Sequence, residues 1–160
     1  MRLRTGLLLG VLLGWGLPLA ADILYSVTDL GTLNGTILQG SNLNNAGQVV
    51  GSALMLRSLA SRAFLYSNGQ ITDLGPGAAF GINDLGQVTG ASGSTGHAFL
   101  YSNGQMQDLG TLGGSYSAGS GINNAGQVTG ESSTSTGATH AFFYSNGQMQ
   151  DLGTLGGSYS

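Results

Sequence analysis

Residues 81–120 read GINDLGQVTGASGSTGHAFLYSNGQMQDLGTLGGSYSAGS, and residues 121–160 read GINNAGQVTGESSTSTGATHAFFYSNGQMQDLGTLGGSYS. One motif is written twice, and a more divergent third copy fills 40–80 as GSNLNNAGQVVGSALMLRSLASRAFLYSNGQITDLGPGAAF. A period of about 40 residues marks a repeat architecture, to be settled before any local reading. Two spacings vary between copies. From the Gly of GQV to the Ala of AFLY or AFFY the separations are 16, 12 and 15, and from the Asp of DLG to the next loop Asn they are 15, 10 and 15. Variable lengths predict loops at both places, and the constant blocks predict the packed elements.

Each copy divides into strands through its turn chemistry. Asn68-Gly69, Asn103-Gly104 and Asn146-Gly147 separate an AFLYS or AFFYS run from a Q-x-x-D-L run. Asn-Gly between two such runs predicts a type I′ hairpin, because both central residues must take positive φ. That turn sets Ser102 against Gln105, Tyr101 against Met106, Leu100 against Gln107 and Phe99 against Asp108. Phe99, Tyr101 and Met106 then share one face, and Ala98, Leu100 and Leu109 the other. A sheet apolar on both faces must be sandwiched between others. The GINNAGQV block predicts a second hairpin, with Gly47, Gly86 and Gly126 supplying left-handed residues. Four short strands per ~40 residues match a β-propeller blade better than a β-solenoid coil. The expected fold is therefore all-β, built of tandem four-stranded antiparallel repeats in a propeller-like, incomplete or open ring. The repeats span 40–80, 81–120 and 121–160, with a partial copy at 25–35 that reads as a lone fourth strand. Propellers close with about four to eight blades. Three predict either a piece of a longer repeat protein or closure by another chain, with self-association through open repeat ends.

Residues 1–21, MRLRTGLLLGVLLGWGLPLAA, have the layout of a signal peptide: Arg2 and Arg4, a short apolar helix, Pro18, then small residues for cleavage after Ala21. The other reading is an uncleaved membrane anchor, for which the apolar run is short of the ~20 residues that span a bilayer. Without that leader, two arginines face seven acids and the net charge is −5. The 160 residues include 30 glycines, no cysteine and no lysine, and only 7% are charged. So few cations exclude a nucleic-acid binder, and the missing cysteines exclude disulfide scaffolds and thiolate metal sites. No membrane span is expected once the leader is cleaved, and the expected location is secreted, extracellular or cell surface.

The blocks His97-Ala98-Phe99-Leu100-Tyr101, Ser102-Asn103-Gly104, Asp108-Leu109-Gly110-Thr111-Leu112-Gly113-Gly114 and Gly121-Ile122-Asn123-Asn124-Ala125-Gly126-Gln127-Val128 resemble the bacterial extracellular repeat called the HAF family. The resemblance covers essentially all of 25–160. Copy one departs from it, with Arg62 in place of the His and Pro76-Gly77 in place of Thr-Leu. It implies a secreted or surface-attached bacterial protein with no established catalytic activity.

Residues able to do chemistry recur at repeat positions, which argues for structural roles. His97 and His140 each precede an apolar strand, and Arg62 stands there in copy one, at 40–80. Asp29, Asp73, Asp108 and Asp151 precede Leu-Gly, where a carboxylate accepts turn N–H groups; a carboxylate pair near a ring axis is the functional rival. Gly113-Gly114 leads into no helix or lysine, so it is no phosphate loop. Ser132-Ser133-Thr134-Ser135-Thr136 reads as a solvated loop. Residues that differ between copies (Met55, Arg57, Arg62 and Glu131) lie in or beside the loop between second and third strands, where a repeat scaffold carries specificity. No catalytic, cofactor-binding or metal residue is assigned, and no cofactor is expected. The expected function is a non-enzymatic surface, matrix or binding role toward an unknown ligand or surface polymer. The alternative is part of an extracellular propeller enzyme acting on polysaccharide.

Overall fold

The computed structural model describes residues 26–33, 36–55 and 60–154; the leader at 1–21 and Arg57 lie outside them. The described residues form eleven strands and no helix: β1 (Ile37–Leu43), β2 (Val49–Met55), β3 (Ala60–Ser67), β4 (Gln70–Ile82), β5 (Val88–Ser92), β6 (Ala98–Ser102), β7 (Gln105–Asp108), β8 (Gly113–Ile122), β9 (Val128–Thr134), β10 (Thr139–Ser145) and β11 (Gln148–Gly153). Neighbours pair antiparallel in chain order, giving a seven-stranded sheet β1–β7 and a four-stranded sheet β8–β11. No closed ring of sheets forms among the described residues.

Three four-stranded meanders nevertheless stand out. Unit 1 is β1, β2, β3 and the first half of β4, which pairs with β3 through Pro76. Unit 2 is the second half of β4, which pairs with β5 from Gly77, followed by β5, β6 and β7. Unit 3 is β8–β11. A loop was expected between DLG and the next loop Asn, and in copy one there is none. Only ten residues separate Asp73 from Asn83, so β4 runs straight through and fuses two units into one sheet. The longer spacing from Asp108 to Asn123 leaves room for residues 109–112 to break the strand before β8.

The Asn-Gly turns are as the sequence predicts. Asn68, Asn103 and Asn146 have φ of 51°, 52° and 53°, and the glycines that follow them have 80°, 79° and 79°. The register in unit 2 is Ser102↔Gln105, Tyr101↔Met106, Leu100↔Gln107 and Phe99↔Asp108. Each unit also carries a bulge on its first strand, opposite Gly51, Gly90 or Gly130 of the second. A Cβ at Gly90 would strike the Ala78 carbonyl oxygen, and one at Gly51 or Gly130 the equivalent oxygen of Gln39 or Ala118. The bulge therefore requires glycine opposite it.

The two-faced hairpins pack against one another. One core holds Val50, Ala63 and Leu74 of unit 1 with Ala79, Ile82, Val88 and Phe99 of unit 2. A second holds Ala98 and Leu109 of unit 2 with Val128, Phe142 and Tyr144 of unit 3, and Leu100 and Met149 pack against it. Unit 2 is thus sandwiched, Phe99 facing one neighbour and Ala98 the other. Burying a phenylalanine contributes about 2–3 kcal/mol, so Phe99 and Phe142, both essentially inaccessible, make inter-unit packing a substantial source of stability.

Two expectations are corrected. Residues 26–33 contain no strand. The edge of each third strand, β3, β6 and β10, is already taken by the fourth strand of its own unit, so no unit leaves a fourth-strand place for the leading copy. Ser132-Ser133-Thr134 belong to β9, with Ser132 fully buried and accepting the Leu112 N–H at 2.8 Å. Its hydroxyl satisfies the broken segment between units 2 and 3, so burial there carries no unpaired polar group.

Candidate functional site

Two sets of polar residues recur in every unit, and each is assembled by the fold. The first lies in the loops joining first and second strands. Asn83 Oδ1 accepts the N–H groups of Leu85 (3.1 Å) and Gln87 (2.9 Å), while its Nδ2 donates to Gln87 Oε1 at 2.6 Å. The same pattern holds at Asn44 with Ala46 and Gln48, and at Asn123 with Ala125 and Gln127. Gly47, Gly86 and Gly126 close these loops at φ of 73°, 75° and 74°. The loops are also tied to one another. Asn44 Nδ2 donates to the Asn83 carbonyl and Asn83 Nδ2 to the Asn123 carbonyl, both at 2.9 Å.

Beside that ladder the next residues join in the same way. Asn45 donates its N–H and its side-chain amide to Asp84 Oδ1, at 3.1 and 2.9 Å. The Asp84 N–H donates to Asn124 Oδ1 at 3.0 Å, and Asn124 Nδ2 returns a bond to Asp84 Oδ2 at 3.3 Å. These donors, the Asn45 backbone N–H first, hold the Asp84 carboxyl below the usual carboxylate range. The three loops surround an open depression of about 380 Å³. Its one carboxylate already accepts from two units, and no group of three His, Asp or Glu side chains is gathered among the described residues. The depression is a place where the units lock together.

The second set is a side-chain nitrogen paired with a carboxylate in each unit. Arg62 Nε donates to Asp73 Oδ2 at 2.6 Å. His97 Nδ1 lies 3.0 Å from both oxygens of Asp108, and His140 Nδ1 lies 2.9 Å from both oxygens of Asp151. The hairpin register explains the contact: Phe64 faces Asp73 directly, and a bulge then brings the residue two earlier within diagonal reach. Each Asp also accepts the N–H of the glycine two residues on, at 2.9 Å for Gly75 and 2.7 Å for Gly110 and Gly153. Asp29 accepts the Gly31 N–H at 2.9 Å in the same turn. Hydrogen bonding from His140, then from Gly153, lowers the pKa of Asp151.

The sequence shows this pairing only indirectly. The partners are eleven residues apart in every copy, a constant spacing across a turn of fixed length. Among the described residues no serine hydroxyl is hydrogen-bonded to either imidazole, so neither pair has the nucleophile of a Ser-His-Asp triad. Asp73, Asp108 and Asp151 are each bound to a residue of their own unit.

The residues that vary between copies fall apart as well. Met55 ends β2, Arg62 is engaged by Asp73, and Glu131 is exposed on β9. Tyr116 hydrogen-bonds Glu131, and burial first, then the Glu131 charge, raises the Tyr116 phenol above its ordinary value. The chain matches no family model, no curated protein and no solved structure.

Proposed function

We propose that the chain is an exported bacterial repeat protein of the HAF type, whose stacked units form a propeller-like, non-enzymatic scaffold with a surface or binding role. The observation that supports it is the substitution at the position that donates to the carboxylate. Asp73 is served by an arginine where Asp108 and Asp151 are served by histidines. A guanidinium cannot act as a general base. The property common to the three positions is therefore an N–H donor that fastens the start of one strand to the end of the next. The loop ladder supports the same reading, since its amides and carboxylate are spent on neighbouring units.

The test has two arms. The full chain is expressed in a Gram-negative host and its N-terminus determined; the expected product lies outside the cytoplasm and begins at Asp22. The purified protein is then incubated with neutral and acidic polysaccharides, and no release of sugars is expected. Retention of residues 1–21 in a cytoplasmic product overturns export. Hydrolysis that disappears in Asp108→Asn overturns the non-enzymatic role in favour of a polysaccharide-degrading propeller.

A further inference from the structure

Equivalent faces of the three units have different fates. On unit 2 the row Thr89, Leu100 and Gln107 lies under unit 3: Thr89 is fully buried, Leu100 packs on the second core, and Gln107 Nε2 donates to the Tyr144 hydroxyl at 2.9 Å. The matching row on unit 3 is Thr129, Phe143 and Gln150, and there Thr129 and Gln150 are exposed.

This face also departs from its counterparts in composition. Phe143 stands where the other units have Leu65 and Leu100, and Glu131 stands where they have Ser52 and Ala91. Glu131, like Phe143, is thus particular to unit 3. The aromatic change is confined to the same face.

Phe143, Ser145, Asn146, Gln148 and Gln150 surround a hollow of about 290 Å³. Phe143 and Gln150 are directly opposed across β10 and β11, as are Ser145 and Gln148, so all four share this side. The Gln148 and Gln150 amides are exposed, and Ser145 Oγ accepts from Gln127 Nε2 at 3.2 Å, leaving its own proton to donate. No charged side chain lines the hollow.

We propose that this hollow is a binding site for a neutral saccharide. An aromatic ring offers its negative face to the weakly positive C–H groups of a pyranose. Amides flanking it present a donor and an acceptor each, which match hydroxyls that are both. The acidic balance of the chain disfavours uronic or sulfated sugars. The site deepens the binding role proposed above and rests on it.

The experiment titrates the full 160-residue chain with cellohexaose, laminarihexaose and maltohexaose, using hexagalacturonate as the charged control, followed by amide NMR. At least one neutral hexamer is expected to bind with a Kd on the order of 1 mM, shifting Phe143, Gln148 and Gln150. Phe143→Leu restores the residue of the covered units, so its melting temperature should match wild type while binding weakens at least about tenfold. Gln150→Ala serves as a second variant with the ring intact and should also weaken binding. Binding retained within about twofold in Phe143→Leu overturns this site and leaves a binding role elsewhere on the scaffold. No neutral hexamer binding the wild-type chain overturns the saccharide assignment. A dimer in sedimentation that Phe143→Leu dissociates overturns it as well, because a second copy then occupies the face.

Discussion

Replacing Asn83 by alanine tests whether the units are held together by their loops as well as their cores. Asn83 is only 4% exposed and makes four side-chain hydrogen bonds: from Leu85 and Gln87 N–H, to Gln87 Oε1, and to the Asn123 carbonyl of the next unit. Each net hydrogen bond contributes about 1 kcal/mol, and a buried group left unpaired costs about that or more. The loss should therefore be about 4 kcal/mol. Asn123 is an internal control. It makes three such bonds, none of them to another unit from its side chain, and it is exposed, so water replaces what alanine removes. Asn123→Ala should cost about 1 kcal/mol. Urea denaturation of both variants, with the slope compared to wild type, should show a gap of about 3 kcal/mol. Equal losses would refute the reasoning, because they would mean that the link from Asn83 to Asn123 and its burial contribute nothing.

Other expectations follow from the same geometry. Phe99→Ala empties a site between units 1 and 2 that is 1% exposed and should cost about 3–5 kcal/mol in the same denaturation assay. Gly90→Ala forces a Cβ onto the Ala78 carbonyl opposite the bulge, so thermal melting should show a larger loss than for Gly137→Ala, where nothing lies within 4 Å and only the positive φ of 86° is strained. Arg62→His should retain its bond to Asp73, because histidine fills that position in the other units, and melting should change little. Asp84 and Asp151 both have folded pKa values below the ordinary aspartate value of 3.8. Their contribution is complete above the unfolded value and is lost as pH falls through the lowered folded values, so destabilisation should begin below about pH 4. Carboxyl carbon NMR checks this directly: Asn124→Ala should raise the Asp84 midpoint and leave that of Asp151 unmoved.

The strands and their register are readable from residues because Asn-Gly admits one kind of tight turn, and that turn dictates the pairing of Ser102 through Phe99. The two apolar faces likewise announce that units must pack on one another, as Phe99 and Ala98 do. Local chemistry does not show how a chain uses its length between turns. The segment DLGPGAAFGI carries Pro76 and three glycines and reads as a loop, yet it is strand because ten residues leave no slack and both neighbouring sheets need an edge there. Ser132 reads as solvated because its neighbours are polar; only the arrival of Leu112 from unit 2 gives its hydroxyl a buried partner. The Arg62–Asp73 pair sits beside a register shift between Ala63 and Phe64. In every unit the partners lie eleven residues apart across one hairpin, so the pairing leaves its trace in spacing and not in composition.

The passage of β4 through two units gives the molecule unequal joints. Between units 1 and 2 there is no stretch of chain outside a hydrogen-bonded ladder, so tension along the backbone there must shear paired strands. Between units 2 and 3 the backbone runs outside the strands at 109–111, which gives a protease or a pulling force purchase at that step. Nicking there should yield a larger piece ending near Leu112 and a smaller one holding β8–β11, so the array comes apart as two and one.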